Sequence, residues 1–501
     1  MHVFMPSASA ARPLPRNVLL RHGSRPSAVR LFRPLTLLAA FALSAVLMLI
    51  WLGHRPLWFD ETVSVGAARL RTGALIHYLA GTETNMSLYH ALLHVWLQFG
   101  SGAAFARLLS ALFGLATLPF VYGLARRLFD SRTAVIAVVL MAGNVEFVGH
   151  AREARGYSLA VLLVTASSYV LVRALESGRQ RDWSLYAVLS ALAVYAHFLA
   201  VLAVLAQLGS LVFVRRRIQT RPIVVASATL GLLLVPLVAA LLIHWQGGQI
   251  DWVTTPRLRS LPGLLLWFAG NRPVLAIYCL GGLAALGAAF AEWRADAHSQ
   301  LAWRYTLLLA WLVIPPVVAF AISYAKPVYL YRYFLVCLPA LVVLVAAGLA
   351  RIRPLWIAVP VVIGGAFAST WTTVSCTPAC VIGHDDWRAA AAYVAARARP
   401  GDGVIFDPGE LRTPFAYYLP PAQRPRLVYP SRWLLEGGPA IGASTPAEAV
   451  ARARSSKRVW FVSWWLPQGS LPSLLAHARG QPDVRDFAEN VRVSLYLAPG
   501  R

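Results

Sequence analysis

The sequence predicts a mainly α-helical protein that crosses a membrane about eleven times and ends in a small α/β domain outside the membrane. Of its 501 residues, 58% are hydrophobic and only 13% are charged, whereas about 25% of the residues of an average soluble domain are charged. Long apolar runs recur along the chain with arginine clusters between them, which is typical of membrane spans joined by basic cytoplasmic loops. This composition excludes an ordinary water-soluble enzyme.

The strong positive charge has the same origin as the apolar runs. Lysine and arginine number 46 against 21 acidic residues, which gives a net charge of +25. Because the basic residues lie between apolar runs, they indicate membrane topology and argue against nucleic-acid binding. Four cysteines exclude a disulfide-based scaffold and offer no paired CxxC spacing for zinc.

The predicted spans begin after a basic tail, residues 1–34, that is expected to stay in the cytoplasm. They are predicted at 35–52, 107–124, 134–148, 158–175, 183–197, 198–214, 223–244, 274–293, 305–324, 333–350 and 355–372. The run at 88–99 is too short to cross a bilayer and predicts a juxtamembrane or re-entrant helix. The parity of the spans assigns to the outer side the stretches 53–104, 149–157, 245–272, 323–332 and everything after 373.

The composition changes near residue 373, which divides a transmembrane domain, 35–373, from a soluble domain, 374–501. In the soluble domain, strands are predicted at 403–406, 458–463 and 493–498, and helices at 386–398, 411–419 and 446–453. Cys376 and Cys380 stand at its entrance, where a local disulfide remains open because their spacing is short. Cys279 and Cys337 lie in predicted spans and are expected to be buried.

Two adjacent carboxylates on the outer loop 53–104 are the most informative polar residues. Asp60 and Glu61 follow Trp58 and Phe59, soon after the first predicted span. Such a pair can hold an acceptor hydroxyl, act as a general base or bind a divalent cation. The alternative is an interfacial aromatic belt followed by a solvated acidic pair. No cofactor is certain from the sequence, and a divalent cation at this pair is the one candidate.

Further ionisable and aromatic residues are predicted on the same outer face, and such residues at membrane depth indicate a functional site. They are Glu83, His90, His94, Glu146, His150, Arg152, Glu153, Arg155, Tyr157, His197, His244, Asp251, Lys326, Tyr331 and Arg332. Four cations of this set can bind a phosphate or can instead anchor lipid headgroups; they are Arg152, Arg155, Lys326 and Arg332. The i, i+4 spacing of His90 and His94 suits a metal, but without an HExxH motif a structural role is favoured.

Several segments match a known family in their order and spacing. They are FDE at 59–61, NMSLYH at 85–90, LHVWL at 93–97, RLLSALFG at 107–114, RRLF at 126–129, EARGY at 153–157 and KPVYLYRY at 326–333. With these segments, which span most of residues 55–350, the chain resembles glycosyltransferase family 39 of the GT-C superfamily. That group includes protein O-mannosyltransferases and lipid A aminoarabinose transferases. One departure is Met86-Ser87, where many relatives carry a Pro-Pro pair.

The resemblance implies a bacterial inner-membrane enzyme that transfers a sugar, with inversion, from a polyprenyl-phosphate carrier at the extracytoplasmic face. It matches the acidic residue of the family's first outer loop to Asp60, with Glu61 beside it as a second catalytic acid. The four cations named above become candidates for the donor phosphate. Candidates for substrate binding are His90, Glu153, Tyr157 and Tyr331. The sugar stays open, and so does the acceptor, which can be a glycolipid, a polysaccharide or a protein.

Two other classes of protein are alternatives to this enzyme. A secondary transporter or flippase for lipid-linked sugars would also carry ionisable residues in its spans. Transporter sites tend to lie near the bilayer midplane, whereas the ionisable residues here collect at one face. A membrane scaffold that presents the soluble domain would leave the Asp60-Glu61 pair without a role.

Overall fold

The computed structural model describes residues 27–214, 220–243, 253–353, 355–375, 385–419, 423–429, 445–464, 470–487 and 490–498. The helices of its N-terminal part are α1 (Ser27–Leu49), α2 (Phe59–Ala68), α3 (Thr72–Gly81), α4 (Ser87–Trp96), α5 (Ala103–Leu128), α6 (Ser131–Ala142), α7 (Val145–Ala151), α8 (Tyr157–Ser177), α9 (Gln180–Ala196), α10 (Ala200–Ser210), α11 (Thr220–Ile243), α12 (Ser260–Ala269), α13 (Arg272–Asp296), α14 (Gln300–Ile322), α15 (Leu338–Leu349) and α16 (Leu355–Ser375). Short 3₁₀ helices at Leu211–Phe213 and Tyr331–Cys337 continue α10 and precede α15.

The mainly α-helical membrane fold is confirmed, but the count of eleven spans is not. Within the described ranges, seven helical segments are long and apolar enough to cross a membrane: α5, α8, α11, α13, α14, Tyr331–Leu349 and Trp356–Ser375. An eighth span results if α6 and α7, which meet at a bend of 60°, are counted together. The other predicted spans coincide with α1, α9 and α10, which do not meet the same criteria of length and hydropathy.

The predicted span 134–148 is divided by a break after α6. Asn144 causes it, because its side chain accepts the Phe147 N–H at 2.9 Å and so caps the new helix α7. The carbonyl group of Gly143, freed by the break, accepts hydroxyl hydrogens from Ser369 and Thr373 of α16 at 2.9 and 3.1 Å. A break at membrane depth is tolerated when neighbouring helices supply such partners. The loop after α7, residues 152–156, consequently lies against α2.

Close packing of small residues joins α13 to α15. A Cβ atom added to Gly348 would lie only 1.8 Å from the carbonyl oxygen of Gly281, so no other residue fits at this crossing. Helix association in membranes commonly relies on such small residues. Every residue of α15 is buried, which makes this helix the centre of the bundle on that side.

The segment 53–104, predicted as an outer loop, is largely helical. The predicted short helix at 88–99 is confirmed as α4, whereas α2 and α3 were not predicted. Met86, directly before α4, has a φ of 59°. Proline cannot adopt this conformation because its ring fixes φ near about −65°. The departure from the family's Pro-Pro pair therefore goes with a different backbone conformation at the start of α4.

The C-terminal part is a small α/β unit, as predicted. Its elements are α17 (Trp387–Ala395), β1 (Gly403–Asp407), α18 (Arg412–Tyr418), β2 (Arg426–Tyr429), α19 (Pro446–Ala453), β3 (Arg458–Trp464), α20 (Leu471–Arg479), β4 (Asp483–Phe487) and β5 (Val491–Leu497). The strand order is β2-β1-β3-β5-β4, with β1, β2 and β3 parallel and β5 antiparallel to β3 and β4. Alternate side chains of β1 and β3 pack on α17 and α18 on one face, and on α19 and α20 on the other.

The strands β2 and β4 and the helix α20 were not predicted. β4 is an edge strand whose first four residues are exposed and mostly charged, a composition that protects sheet edges but hides the strand from a search for apolar runs. Cys337 is buried as expected, while the prediction that Cys279 is buried is wrong, because it lies exposed on α13. Residues His244, Asp251, Cys376 and Cys380 lie outside the described residues, and so does the disulfide between the two cysteines that the sequence leaves open.

Candidate active site

Helix α2 begins at the acidic motif and directs three consecutive side chains to three different surroundings. Successive residues of a helix are rotated by about 100°. Phe59 packs on the C-terminal domain, Asp60 faces two arginines, and Glu61 enters the bundle. The Trp58 backbone N–H donates to Glu61 Oε2 at 3.2 Å, and acidic residues in this first turn are also favoured by the helix dipole.

Glu61 forms a buried bidentate ion pair with Arg107 of α5. Arg107 Nε and Nη2 donate to the two carboxylate oxygens at 2.7 and 2.6 Å. The Ala154 backbone N–H donates to Glu61 Oε1 at 2.8 Å, and Glu61 has no exposed surface. Arg107 also donates to three carbonyl groups of residues 52–56, at 2.7 to 3.0 Å. One ion pair thereby joins α2 to α5, to residues 52–56 and to the loop 152–156.

These contacts change the role predicted for Glu61. Both of its oxygens already accept hydrogen bonds from a guanidinium group and from backbone N–H groups, and no solvent reaches them. A carboxylate in such surroundings is a poor general base and a poor metal ligand. Glu61 therefore holds α2 in position, and Asp60 is the acid of the pair that keeps exposed surface.

Asp60 lies between two guanidinium groups. Its Oδ2 atom is 3.7 Å from Arg155 Nη2 and 3.5 Å from Arg332 Nη2, and its side chain is 19% exposed. These distances are longer than ordinary N–H···O hydrogen bonds, so the arginines do not saturate the carboxylate. Arg155 Nη1 also donates to the hydroxyl oxygen of Ser64, one turn along α2, at 3.1 Å. The Asp60 carboxylate can therefore still accept a hydrogen bond from a substrate.

Aromatic rings surround the two arginines. The Arg332 guanidinium carbon lies 5.6 Å from the ring centre of Trp58 and 5.8 Å from that of Tyr333, and the Arg155 guanidinium lies 5.9 Å from the ring of Tyr157. Cation–π contacts of this kind fix the planes of guanidinium groups. The side chains of Arg155 and Arg332 are only 11% and 16% exposed, so their charges act in partly desolvated surroundings.

Glu153 is a second carboxyl group close to the same arginines. It is only 4% exposed, and neither of its oxygens has a hydrogen-bond partner among the described residues. Burial raises the pKa of Glu153 to about 8, and the nearby Glu61 carboxylate adds to the rise. The side chain is therefore mostly protonated at neutral pH and can donate a hydrogen bond, whereas Asp60 beside two cations is an acceptor.

The two histidines of α4 hold α2 from behind. His90 Nε2 lies 3.4 Å from the hydroxyl of Ser64, and His94 Nδ1 lies 2.8 Å from the carbonyl oxygen of Ala68. His90 is fully buried, and this burial lowers its pKa to about 3, with Arg155 adding to the effect. A neutral, enclosed His90 supports α2, and its role in substrate binding stays a prediction.

The remaining predicted site residues lie in different surroundings. Tyr157 is buried beside Arg155 and belongs to the Asp60 cluster, whereas Tyr331, which directly precedes Arg332, packs its ring near those of Trp267 and Tyr329. Arg152 lies instead near Arg107, on the Glu61 side; burial and its cationic neighbours lower its pKa to about 10. Lys326 lies in the turn after α14, where its backbone N–H bonds the Ile322 carbonyl.

A cleft of about 510 Å³ includes Tyr331, the residue before Arg332, in its lining. It is lined by Thr254, Thr255, Pro256, Arg257, Arg259, Ser260, Tyr329, Leu330 and Tyr331. Arg257 and Arg259 of this lining were not predicted as site residues. The sequence did carry a signal, because both lie on the predicted outer loop 245–272, where the positive-inside rule predicts few basic residues.

Asp60 and Glu61 both lie beside arginines. Among the described residues, no group of three or more His, Cys, Asp or Glu side chains is arranged to hold a metal ion. The divalent cation considered for Asp60 and Glu61 would have to displace Arg107 from Glu61. We therefore assign no step of the reaction proposed below to a metal ion.

Comparisons with known proteins show a family-model match and a similar fold. Residues 88–240 match the family model described as dolichyl-phosphate-mannose-protein mannosyltransferase. The fold is similar to that of ArnT from Cupriavidus metallidurans bound to undecaprenyl phosphate, with a TM-score of 0.63 and 13% identity over 95% of this chain and 100% of that one. It is also similar to the oligosaccharyltransferase AglB from Archaeoglobus fulgidus in complex with an inhibitory peptide and dolichol phosphate, with a TM-score of 0.52 and 13% identity over 87% of this chain and 70% of that one. No curated protein sequence matches the chain.

The chain therefore has the fold of the GT-C superfamily of glycosyltransferases, and the resemblance predicted from its sequence motifs is confirmed. The family model covers α4 to α11 in this region, while the structural likeness extends over the C-terminal domain as well. Asp60 and Glu61 lie before the matched residues, so their roles rest on the geometry described above.

Replacing Glu61 tests the ion pair. Glu61→Gln leaves the Arg107 charge buried without its partner, which typically costs about 3–5 kcal/mol, so we expect a clear fall in the unfolding temperature in detergent. The matched control is Glu176→Gln. Glu176 pairs with Arg127 at the surface, where the side chains are 45% and 33% exposed, and such pairs contribute about 1 kcal/mol or less. Equal changes in the two variants would contradict the role given to Glu61.

Replacing Glu153 tests its protonation state. The folded pKa of about 8 exceeds the ordinary value of 4.5, so the stabilisation from this group is complete below pH 4.5 and is lost as the pH rises through about 8. Because glutamine does not titrate, Glu153→Gln should unfold at a progressively higher temperature than the wild type between pH 5 and pH 8, by about 2 °C or more, and the difference should level off above pH 8. Thermal unfolding followed by tryptophan fluorescence measures this, and a constant difference across the range would refute it.

Proposed function

We propose that this protein is a membrane glycosyltransferase that moves a sugar from a polyprenyl-phosphate donor to a hydroxyl or amine acceptor. The observation that carries the proposal is the partly exposed Asp60 carboxylate between Arg155 and Arg332, at one end of a GT-C bundle. A base for the acceptor and cations for a phosphate leaving group are the two kinds of group that this reaction needs.

The reaction that we propose is a single displacement. The acceptor oxygen or nitrogen attacks C1 of the sugar from the face opposite the phosphate, and the bond between C1 and the phosphate oxygen breaks. The proton of the acceptor passes to Asp60, and the lipid carrier departs as polyprenyl monophosphate. Attack from the opposite face inverts the configuration at C1. Asp60 suits the role of base because the guanidinium groups leave it room to accept a hydrogen bond.

Cations on the other side of the proposed site suit the donor phosphate. Arg332 contacts Asp60 and follows Tyr331, which lines the cleft that also contains Arg257 and Arg259. Arginine binds phosphate oxygens through paired N–H groups. Tyr331 and Arg332, which are adjacent in the chain, connect the proposed donor cleft to Asp60. We assign Arg152 and Lys326 no contact with the donor.

Buried polar atoms between the arginines suit the hydroxyl groups of a sugar. The Tyr157 hydroxyl, His150 Nε2 and His197 Nε2 are buried and have no hydrogen-bond partner in the described part of the chain. The rings are contiguous, with centres 5.3 Å apart for Tyr157 and His150 and 5.9 Å apart for Tyr157 and His197. Such atoms cost free energy unless a ligand bonds them. A sugar offers hydroxyl groups to all three.

The printed partners of the similar structures support the same donor class. The relatives named above were solved with undecaprenyl phosphate and with dolichol phosphate together with a peptide, and both lipids are polyprenyl phosphates. We propose that this chain uses such a carrier at the extracytoplasmic face of a bacterial inner membrane, with the C-terminal domain on the same side. The acceptor is a glycolipid, a polysaccharide or a protein.

Replacing Asp60 tests the proposal. Asp60→Asn keeps the size of the side chain but removes the base, so transfer should fall by about 10²- to 10⁴-fold, while the unfolding temperature changes little. The assay follows radiolabelled sugar from a panel of polyprenyl-phosphate sugars, with purified full-length protein in lipid. Asp483→Asn is the matched control, since Asp483 is exposed on the edge strand β4, and it should transfer like the wild type.

Two results would contradict the proposal. Transfer by Asp60→Asn at the wild-type rate would remove Asp60 from the chemistry. No transfer from any donor, combined with movement of a lipid-linked sugar across vesicles that contain the protein, would favour the transporter or flippase instead.

A further inference from the structure

The C-terminal domain contacts both ends of α2 through three interactions. The Tyr418 hydroxyl of α18 accepts a hydrogen bond from the Leu57 backbone N–H at 2.5 Å. The Phe59 ring lies edge-on to the Trp464 ring of β3, with centres 6.0 Å apart. At the other end of α2, the Arg69 guanidinium lies 5.0 Å from the ring centre of Tyr417. The two ends of the helix are thus held by one helix and one strand of the same domain.

Phe59 is partly buried and packs against the hydrophobic core of the C-terminal domain. It packs on the cluster that includes Trp387 of α17 and Phe415 of α18. Its backbone also hydrogen-bonds to the carboxyl group of Asp385; burial raises the pKa of Asp385, and hydrogen bonds that include this one oppose the rise. An aromatic side chain packed against another domain restrains its own backbone, because moving it would expose apolar surface to water.

Glu61, two residues after Phe59, is held by the membrane domain and not by the C-terminal domain. Glu61 is bound to Arg107 and to the Ala154 backbone in the bundle. Asp60 therefore lies between a residue anchored in the C-terminal domain and a residue anchored in the membrane domain. Its distances of 3.5 and 3.7 Å to the arginines depend on both anchors, since a rotation of the first turn of α2 would move all three side chains together.

We infer that the C-terminal domain positions Asp60 for proton transfer, and that Tyr418 is a positioning residue that acts through the Leu57 backbone. This inference rests on the proposed function. It gives the C-terminal domain a part in the reaction in addition to any contact with the acceptor. Misplacement of a catalytic group by about 1 Å can slow a reaction about a hundredfold, so a single hydrogen bond at the start of α2 has a measurable effect on the rate.

The experiment uses the full-length protein in nanodiscs and compares Tyr418→Phe with Tyr393→Phe. Both variants lose one hydroxyl group from the same domain, but Tyr393 packs on Trp460 and Phe487 instead of on α2. Hydrogen–deuterium exchange by mass spectrometry follows the amides of residues 57–64, and a transfer assay gives kcat and the KM for the donor. Tyr418→Phe should speed exchange at the Leu57 amide roughly fivefold to tenfold and lower kcat roughly tenfold, with the donor KM unchanged. Tyr393→Phe should match the wild type in all three.

If Tyr418 had a purely structural role, Tyr418→Phe would lower the unfolding temperature without lowering kcat selectively at an unchanged KM for the donor. Combination with Asp60→Asn sharpens the test, because a residue that acts through Asp60 should cause no further loss once that carboxylate is gone. Unchanged exchange at 57–64, or an active wild type with equal kcat in Tyr418→Phe, would overturn the inference while leaving the proposed function intact. A wild type that transfers no sugar would overturn both.

Discussion

The buried ion pair between Glu61 and Arg107 is the constraint on which the described site depends. Desolvating two charges is costly, and the cost is offset only when every remaining hydrogen-bonding atom finds a partner. Here the guanidinium group bonds a carboxylate and three carbonyl groups, and the carboxylate also bonds two backbone N–H groups. Because those partners belong to four separate segments, the pair fixes α2 relative to the bundle at the point where the acidic motif begins.

The ion pair also explains why two adjacent acids have different roles. Both carboxylate oxygens of Glu61 are hydrogen-bonded and buried, so its charge serves to hold the structure together. Asp60, rotated by about 100° along the helix, meets two guanidinium groups at longer distances and keeps contact with solvent. Glu153, near the same cations but fully desolvated, is mostly neutral at pH 7. Three carboxyl groups within one region thus provide an anchor, an acceptor and a donor of hydrogen bonds.

Composition and periodicity predicted the architecture well because burial in a membrane or in a sheet requires long or alternating apolar runs. The runs predicted as spans coincide with helices, and the three predicted strands coincide with β1, β3 and β5. Features that depend on single polar side chains were not predicted. The break at Asn144 results from one cap and from hydroxyl groups of a distant helix, and the edge strand β4 has no apolar pattern. The distinct roles of Asp60 and Glu61 likewise depend on Arg107, a residue 46 positions away, and the contact of Tyr418 with Leu57 joins residues 361 positions apart.

The central claim is that Asp60 faces the sugar of a lipid-linked donor whose phosphate lies among arginines. The most direct test is a structure of the full-length protein in nanodiscs with a non-cleavable phosphonate analogue of a polyprenyl-phosphate sugar. The account predicts the phosphonate between Arg332 and the cleft that contains Arg257 and Arg259, with C1 of the sugar turned toward Asp60. An analogue bound with its sugar remote from Asp60, or with its phosphonate at Arg152 or Lys326, would contradict the account.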